Sequence, residues 1–170
     1  MKRLRLTAFI MILCLLPGLP GGTALAEAVS APELSSAECA IIGDMGTGRI
    51  LYNMNAYSRH EPASLTKIMT LLLAVEAIEL GKVSENDMVT AGSDCKTALG
   101  SDSSTSGIHM GETMSLRDLL YCAALASANE ACNILATYIS GSVSAFVDRM
   151  NERAAELGCT NTHFLDPDGL

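Results

Sequence analysis

Ser64 and Lys67 have residue types and a spacing that suit nucleophilic catalysis. They lie three positions apart in the stretch EPASLTKIMT, at the start of a long apolar run. Residues i and i+3 share one face of a helix, so the lysine amine can reach the serine hydroxyl. A serine hydroxyl needs a neighbouring base to act as a nucleophile. Burial disfavours the charged form of a lysine, so a buried lysine can serve as that base. The pair therefore predicts Ser64 as a nucleophile, with a helix N-terminus behind it to stabilise an oxyanion.

Ser127 and Asn129 form a second candidate pair. Together with Ala128 they interrupt two apolar segments, LRDLLYCAALA and EACNILATYI, that otherwise read as helices. A tight break between two buried helices allows side chains to project into a cleft. We therefore expect Ser127 and Asn129 to join the site of Ser64 and Lys67.

Both short patterns occur more than once. A second S-x-x-K runs from Ser93 to Lys96 in a polar stretch, and a second S-x-N, Ser84-Glu85-Asn86, follows the first predicted helix as a turn or cap. Spacing does not rank these copies, but context does: only Ser64 begins a predicted apolar helix, and only Ser127-Ala128-Asn129 lies at a tight break between two apolar helices. The structural alternatives are Ser64 as a helix N-cap and Lys67 as a surface residue with its amine in solvent.

The elements that must position these residues can be predicted from local patterns. A hairpin is indicated over 40–52 around Gly46-Thr47-Gly48, and a helix over 64–80, buried nearly all round because apolar residues occupy every side. Residues 82–113 read as loops with short strands. Three further helices follow: 115–126, opened by a capping-box variant of Ser115 and Asp118, then 130–141 and 142–157.

The N-terminus predicts export. Residues 1–26 combine a basic start, an apolar stretch and a small-x-small cleavage site at Ala24-Leu25-Ala26, as in a secretory signal, and residues 27–37 read as a flexible leader. A transmembrane anchor is the alternative, although the apolar run is shorter than the ~20 residues a spanning helix needs. Cleavage would place the mature protein outside the cytoplasm.

Charge and cysteine usage exclude some classes of function. Removing the signal removes three positive charges, which moves the formal net charge from -8 to -11. Nucleic-acid binding is therefore disfavoured, since it needs clustered Lys and Arg. The chain has six cysteines, of which Cys14 lies in the predicted signal. The remaining five, an odd set with no C-x-x-C, argue against a full disulfide framework and a thiolate zinc site, although one bridge remains open. Buried apolar thiols are the simpler interpretation, and neither metal nor cofactor is expected.

Four stretches together resemble one family: EPASLTKIMT, IIGDMGTGRILY, GETMSLRDLLYCAALASANEACNILA and ELGCTNTHFLDPDGL. They are similar to the serine D-alanyl-D-alanine carboxypeptidases, the low-molecular-weight penicillin-binding proteins of peptidase family S11. The resemblance covers residues 38–170 and implies an α+β penicillin-binding fold, a helical cluster beside an antiparallel sheet. It implies acylation of Ser64, Lys67 as base, Ser127 as proton relay and Asn129 as ligand of the substrate amide.

The resemblance also implies partners. These are peptidoglycan stem peptides ending in D-Ala-D-Ala, with β-lactams as covalent inhibitors, outside the cytoplasm on the cell-wall side of the membrane. It allows peripheral membrane association through a region beyond residue 170.

One family motif does not occur after Ser127. The family's Lys-Thr-Gly strand, which binds the terminal carboxylate, has only Lys96-Thr97-Ala98 as a partial match, and this precedes Ser127. We therefore expect the sequence to be the N-terminal part of the catalytic domain, truncated before its C-terminal strands. Two alternatives stay open: a non-catalytic fragment that binds penicillin or stem peptides, and a serine β-lactamase, which needs a water-activating glutamate that NTHFLDPDGL lacks.

Overall fold

The computed structural model describes residues 30–34, 36–97 and 99–170. The predicted signal over 1–26 and the first part of the predicted leader lie outside the described residues. The chain divides into two compact units, with the boundary between Ser58 and Arg59. Each unit is described by itself.

The first unit contains the predicted hairpin. Strands β1 (Ala40–Gly43) and β2 (Ile50–Met54) pair antiparallel, with Ile42 opposite Tyr52. In the connecting turn, the Asp44 carboxylate accepts the backbone N–H of Gly46 at 3.0 Å. This hydrogen bond joins residues two positions apart, so the turn depends on local sequence and the residue pattern alone predicts the hairpin. The hairpin exposes four large apolar side chains, Ile41, Ile42, Ile50 and Leu51.

The second unit combines helices with a small antiparallel sheet. Its elements in chain order are a 3-10 helix (Ala63–Thr66), α1 (Lys67–Glu79), β3 (Met88–Thr90), a second 3-10 helix (Ser93–Lys96), β4 (Thr113–Ser115), α2 (Leu116–Leu125), α3 (Asn129–Ser140) and α4 (Val143–Glu156). Strands β3 and β4 pair antiparallel, with Val89 opposite Met114. Helices accompanied by separate antiparallel strand pairs make the fold α+β, as predicted.

Most helix boundaries follow local sequence signals. Helix α2 begins with a complete capping box between Ser115 and Asp118, as predicted. Helix α3 ends at Gly141, whose φ of 81° is in the left-handed region that glycine adopts without strain. Ser142 then caps α4 by accepting the N–H of Ala145 at 3.1 Å. These bonds join residues close in sequence, so the predicted boundaries are confirmed.

Helix α3 lies at the centre of the second unit. One buried apolar cluster joins it to β3 and α2 and includes Val89, Leu116, Leu119, Ala131 and Leu135. A second cluster joins it to α1 and α4 and includes Met69, Leu73, Ala136, Phe146 and Met150. Helix α3 packs against α1, α2 and α4 in turn. This packing brings its N-terminal residues near the start of α1.

The prediction that the first helix is buried nearly all round is wrong. Leu65 and Ile68 are 66% and 64% exposed, and Val75 is also exposed. The buried face of α1 carries Lys67, Met69, Thr70, Leu73, Ala74 and Ala77. Because apolar residues occupy every side of this helix, periodicity does not identify the face that packs inward.

The cysteines differ in how exposed their side chains are. Among the described residues, Cys95 and Cys132 are buried, Cys122 is half-buried, Cys39 and Cys159 are exposed, and all five are free thiols. Buried apolar thiols therefore describe two of the five. Over the same described ranges, no helix has the length and apolarity that crossing a bilayer requires.

Candidate active site

The 3-10 helix at the start of α1 brings Ser64 and Lys67 together. In 3-10 geometry, residues i and i+3 lie one above the other, closer to alignment than in an α-helix. The Lys67 amine, Nζ, donates to the Ser64 hydroxyl oxygen, Oγ, at 3.1 Å. Ser64 is exposed, so its hydroxyl is accessible from solvent. The predicted pair is therefore in contact, with the serine facing outward and the lysine beneath it.

Lys67 is buried and its amine has two protein partners. The side chain is 4% exposed, which excludes the alternative of a surface lysine with its amine in solvent. Besides Ser64, the amine donates to the backbone carbonyl of Asp168 at 2.8 Å. The amine is therefore held in one position by a residue 101 positions away along the chain.

The turn over residues 166–169 supports this position of Lys67. Thr70, one turn along α1, donates its hydroxyl to the Pro167 carbonyl at 2.6 Å. Inside the turn, the Asp166 carboxylate accepts the backbone N–H groups of Asp168, at 3.0 Å, and Gly169. Two side chains of α1 thus bind two successive carbonyls of the same turn, which aligns the turn with the helix.

Ser127 reaches Ser64 from the break between α2 and α3. Its hydroxyl donates to the Ser64 oxygen at 3.1 Å, across a sequence separation of 63 residues. Ser127 has a φ of 54°, in the left-handed region. A residue other than glycine is strained there by about 1–3 kcal/mol. The break between helices thus orients the hydroxyl toward Ser64 through an unfavourable backbone conformation.

Asn129 begins α3 and is buried, at 2% exposure. Its backbone N–H donates to the Ser104 carbonyl at 2.9 Å. Ser127 and Asn129 therefore differ in exposure: Ser127 is half-buried and bonded to Ser64, whereas Asn129 is buried.

The second copies of the short motifs lie in other environments. Ser93 and Lys96 are exposed on a separate 3-10 helix. Ser84 accepts the N–H of Asn86 at 3.2 Å, in the turn predicted for that copy of S-x-N. The carbonyl of Thr97, in the partial match to Lys-Thr-Gly, accepts the side chain of Asn133 at 3.0 Å. Context therefore ranks the copies in favour of Ser64 and Lys67.

Burial sets the protonation of two groups near Lys67. It raises the pKa of the Asp168 carboxyl to about 6, although the N–H of Leu170 and the charge of Lys67 both act in the opposite direction. It also raises the pKa of the Cys132 thiol to about 12, so this thiol stays protonated at neutral pH. Cys132 is therefore inert as a nucleophile, whereas the Ser64 side chain beside Lys67 is exposed.

Several residues that shape the site were missed at the sequence level. Asp168 and Pro167 act through backbone carbonyls, for which side-chain type carries no signal, and Thr70 resembles any other helical threonine. The run Asp166-Pro167-Asp168-Gly169 predicts a turn, but not that it contacts α1. Within the described ranges, no group of three or more His, Cys, Asp or Glu side chains is arranged to hold a metal ion.

The geometry is that of an activated serine. One accessible hydroxyl accepts hydrogen bonds from a buried amine and from a second hydroxyl, each at 3.1 Å. Such an arrangement can remove the proton of Ser64 when it attacks a carbonyl carbon, and deliver a proton to a leaving group on the Ser127 side. It supports acyl transfer.

Comparison with known proteins agrees with this chemistry. The chain is 40% identical over 171 residues to D-alanyl-D-alanine carboxypeptidase DacF of Bacillus subtilis, covering 100% of this chain and 43% of that protein. Penicillin-binding protein 5 of Haemophilus influenzae superimposes with a TM-score of 0.77 at 35% identity, over 84% of this chain and 41% of that one.

A third comparison is with a ligand-bound structure. Penicillin-binding protein D2 of Listeria monocytogenes, solved in an ampicillin-bound form, matches with a TM-score of 0.69 at 30% identity, over 82% of this chain and 55% of that one. The chain thus spans less than half of the first two proteins and about half of the third. The family model for D-alanyl-D-alanine carboxypeptidases matches residues 25–170, and the chain belongs to this family, peptidase family S11.

Proposed function

We propose that the protein is a serine-type D-alanyl-D-alanine carboxypeptidase that removes the terminal D-alanine from peptidoglycan stem pentapeptides. The observation that carries the proposal is the hydrogen-bonded chain from Lys67 through Ser64 to Ser127, with both links at 3.1 Å. Membership of the family supports the choice of substrate. A serine β-lactamase and a non-catalytic binding protein are not favoured by any feature of this site.

Acylation uses the three residues in sequence. Ser64 Oγ attacks the carbonyl carbon of the bond between the two terminal D-alanines, while Lys67 Nζ acts as the base and accepts its proton. The tetrahedral intermediate collapses as the carbon–nitrogen bond breaks. The departing D-alanine nitrogen takes a proton through the Ser127 hydroxyl, which Lys67 resupplies. The product is an ester between Ser64 and the shortened peptide.

Deacylation restores the enzyme. Water attacks the ester carbonyl and gives a proton to the Lys67 amine; the carbon–oxygen bond to Ser64 then breaks, the serine oxygen recovers that proton from Lys67, and the shortened peptide leaves with a free carboxyl group. The backbone N–H of Ser64, at the start of the 3-10 helix, would contribute to the oxyanion site. We assign Asn129 to the substrate amide, a role supported by its position two residues after Ser127 at the start of α3.

The same proposal includes the inhibitors and the compartment. A β-lactam presents a strained amide to Ser64 and would leave a stable acyl-enzyme, consistent with the ampicillin-bound form of the Listeria relative. The substrate is outside the cytoplasm, in agreement with the export signal expected over residues 1–26. The proposal also includes peripheral membrane association, which is supported by the family relationship alone.

Covalent labelling with a fluorescent penicillin tests the nucleophile. We expect wild type to be labelled on Ser64, as located by peptide mass spectrometry, and Ser64→Ala to be unlabelled. Ser93→Ala is the matched control, because it removes the serine of the other S-x-x-K, and it should label like wild type. Label on Ser93, or label that persists in Ser64→Ala, would show that the wrong pair was assigned.

Turnover tests the reaction class. Release of D-alanine from a stem-peptide mimic ending in D-Ala-D-Ala should require Ser64. Labelling without D-alanine release would leave a penicillin-binding protein that is not a carboxypeptidase.

A further inference from the structure

Helix α3 begins without a side-chain cap of its own. Its N-cap position is Ala128, which has no polar side chain. The neighbouring hydroxyl, that of Ser127, is engaged with Ser64 instead. The first N–H groups of a helix lack intrahelical acceptors, so they need partners from elsewhere. A second segment of the chain supplies an acceptor for the first of them, the N–H of Asn129.

That segment is residues 104–108, which we call the capping segment. The Ser104 carbonyl accepts the Asn129 N–H at 2.9 Å. In return, the Glu130 side chain accepts two backbone N–H groups of the segment through its Oε1 atom: Ser106 at 2.6 Å and Ile108 at 3.3 Å. The two stretches are thus joined reciprocally, with Glu130 as the only side chain among these three bonds.

Burying the Glu130 carboxyl group costs free energy. Glu130 is 1% exposed, and its second carboxylate oxygen, Oε2, is buried without a hydrogen-bond partner among the described residues. An acidic side chain in the first turn of a helix is favoured by the helix dipole, which offsets part of this cost. Folding alone would be served by an apolar residue at this position together with a polar N-cap. The buried acid therefore points to a local requirement beside the site.

We propose that Glu130 is a positioning residue for the proposed acyl-transfer reaction. It holds the capping segment on the N-terminus of α3, and the segment in turn satisfies the Asn129 N–H. The Ser127 hydroxyl is then not drawn into capping the helix, and stays directed at Ser64. Without Glu130, the capping segment separates from α3, and Ser127 and Asn129 lose their orientation. This inference rests on the proposed function, because it concerns the geometry of that reaction.

The test compares penicillin acylation rates of Ser64 per folded molecule. Glu130→Ala removes both bonds to the segment, and Glu130→Asp withdraws the carboxylate by one methylene group while keeping the charge. Each should slow acylation about 10- to 100-fold, as expected when a reacting group is displaced slightly. Glu130→Gln keeps the acceptor oxygen and replaces only the unpartnered Oε2, so its rate should stay close to wild type.

Asn133→Ala is the matched control for burial. Asn133 lies one turn further along α3, is 1% exposed, and bonds Thr97 rather than the capping segment. It should lower thermal stability without changing the acylation rate of the folded protein. Equal slowing by Asn133→Ala would show general loosening of α3 and overturn the positioning role. A folded Ala or Asp variant that acylates at the wild-type rate would also overturn it.

If neither variant folds, hydrogen exchange of the wild type tests whether Glu130 holds the capping segment. The Ser106 and Ile108 amides, bonded to Glu130, should exchange slowly, and exchange at the rate of a free loop would refute the inference. The proposed function fails separately, if wild type itself is not labelled on Ser64. The two ideas are thus distinguished by one set of measurements.

Discussion

Replacing Gly169 should displace the segment that carries Ser64, because this glycine packs directly against that segment. Its φ is +87°, and an added Cβ would lie 2.5 Å from the carbonyl carbon of Ala63, closer still to its oxygen, and 2.9 Å from Thr66 Oγ1. Side-chain carbons essentially never approach other atoms within 3.0 Å. Two penalties therefore act at this position: a left-handed backbone and a steric overlap with backbone atoms that cannot rotate away.

The two penalties can be sized separately. A left-handed conformation costs a residue other than glycine roughly 1–2 kcal/mol. Relief of an overpacked contact costs about 1–3 kcal/mol more. Gly169→Ala should therefore lower the free energy of unfolding by about 2–5 kcal/mol. Because Ala63 precedes Ser64, the displacement should also slow acylation of Ser64 by up to about 10²-fold.

Gly158→Ala is the matched control. Gly158 has a φ of +80°, and an added Cβ would meet no atom within 4 Å. It should cost the backbone strain alone, about 1–2 kcal/mol, and leave acylation unchanged. The assays are denaturant unfolding and the rate of fluorescent-penicillin labelling. Equal losses of stability in the two variants, with equal labelling rates, would refute the close packing of residues 166–169 against the 3-10 helix.

Three further changes have expected outcomes. Lys67→Ala should slow penicillin acylation of Ser64 about 10²- to 10⁴-fold, the usual cost of a lost proton-transfer group; labelling kinetics measure it. Ser127→Gly and Ser127→Ala should slow acylation equally, yet the glycine variant should be more stable by about 1–2 kcal/mol, because glycine adopts the φ of 54° without strain; denaturant unfolding compares them. In the folded chain the pKa of Asp168 is raised to about 6 from its usual 3.8, so the carboxyl stabilises the fold fully below pH 3.8 and loses that contribution as pH rises through 6. Between pH 7 and pH 5 the unfolding free energy of wild type should therefore rise relative to that of Asp168→Asn.

Each expectation has an opposing result. A Lys67→Ala rate within tenfold of wild type would assign the base elsewhere. Equal stability of the two Ser127 variants would contradict a strained backbone at this break. A constant difference in stability between wild type and Asp168→Asn across this pH range would mean that the carboxyl is not desolvated as described. Asp168→Asn should keep the contact with Lys67, which uses the backbone carbonyl.

Local chemistry explains why much of the architecture could be predicted from the residues. The capping box of Ser115 and Asp118, and the left-handed glycine that ends α3, are interactions within a few positions along the chain. The pairing of Ser64 with Lys67 is of the same kind, since three residues of helix suffice to bring them together. Short-range hydrogen bonds depend little on the remainder of the fold, so residue type and spacing predict them.

Long-range packing determined the rest. Residue spacing does not say that Ser127 meets Ser64 across 63 positions, or that the Asp168 carbonyl meets Lys67 across 101. Nor could an all-round apolar pattern identify the inward face of α1, which places Lys67 inside and Ile68 outside. These contacts depend on how α1, α3 and the turn over 166–169 pack in three dimensions. Sequence context favoured the Ser64 copy of S-x-x-K because it begins an apolar helix. Backbone carbonyls and burial carry no residue-type signal, so only the packed structure shows that Lys67 is buried and which groups its amine contacts.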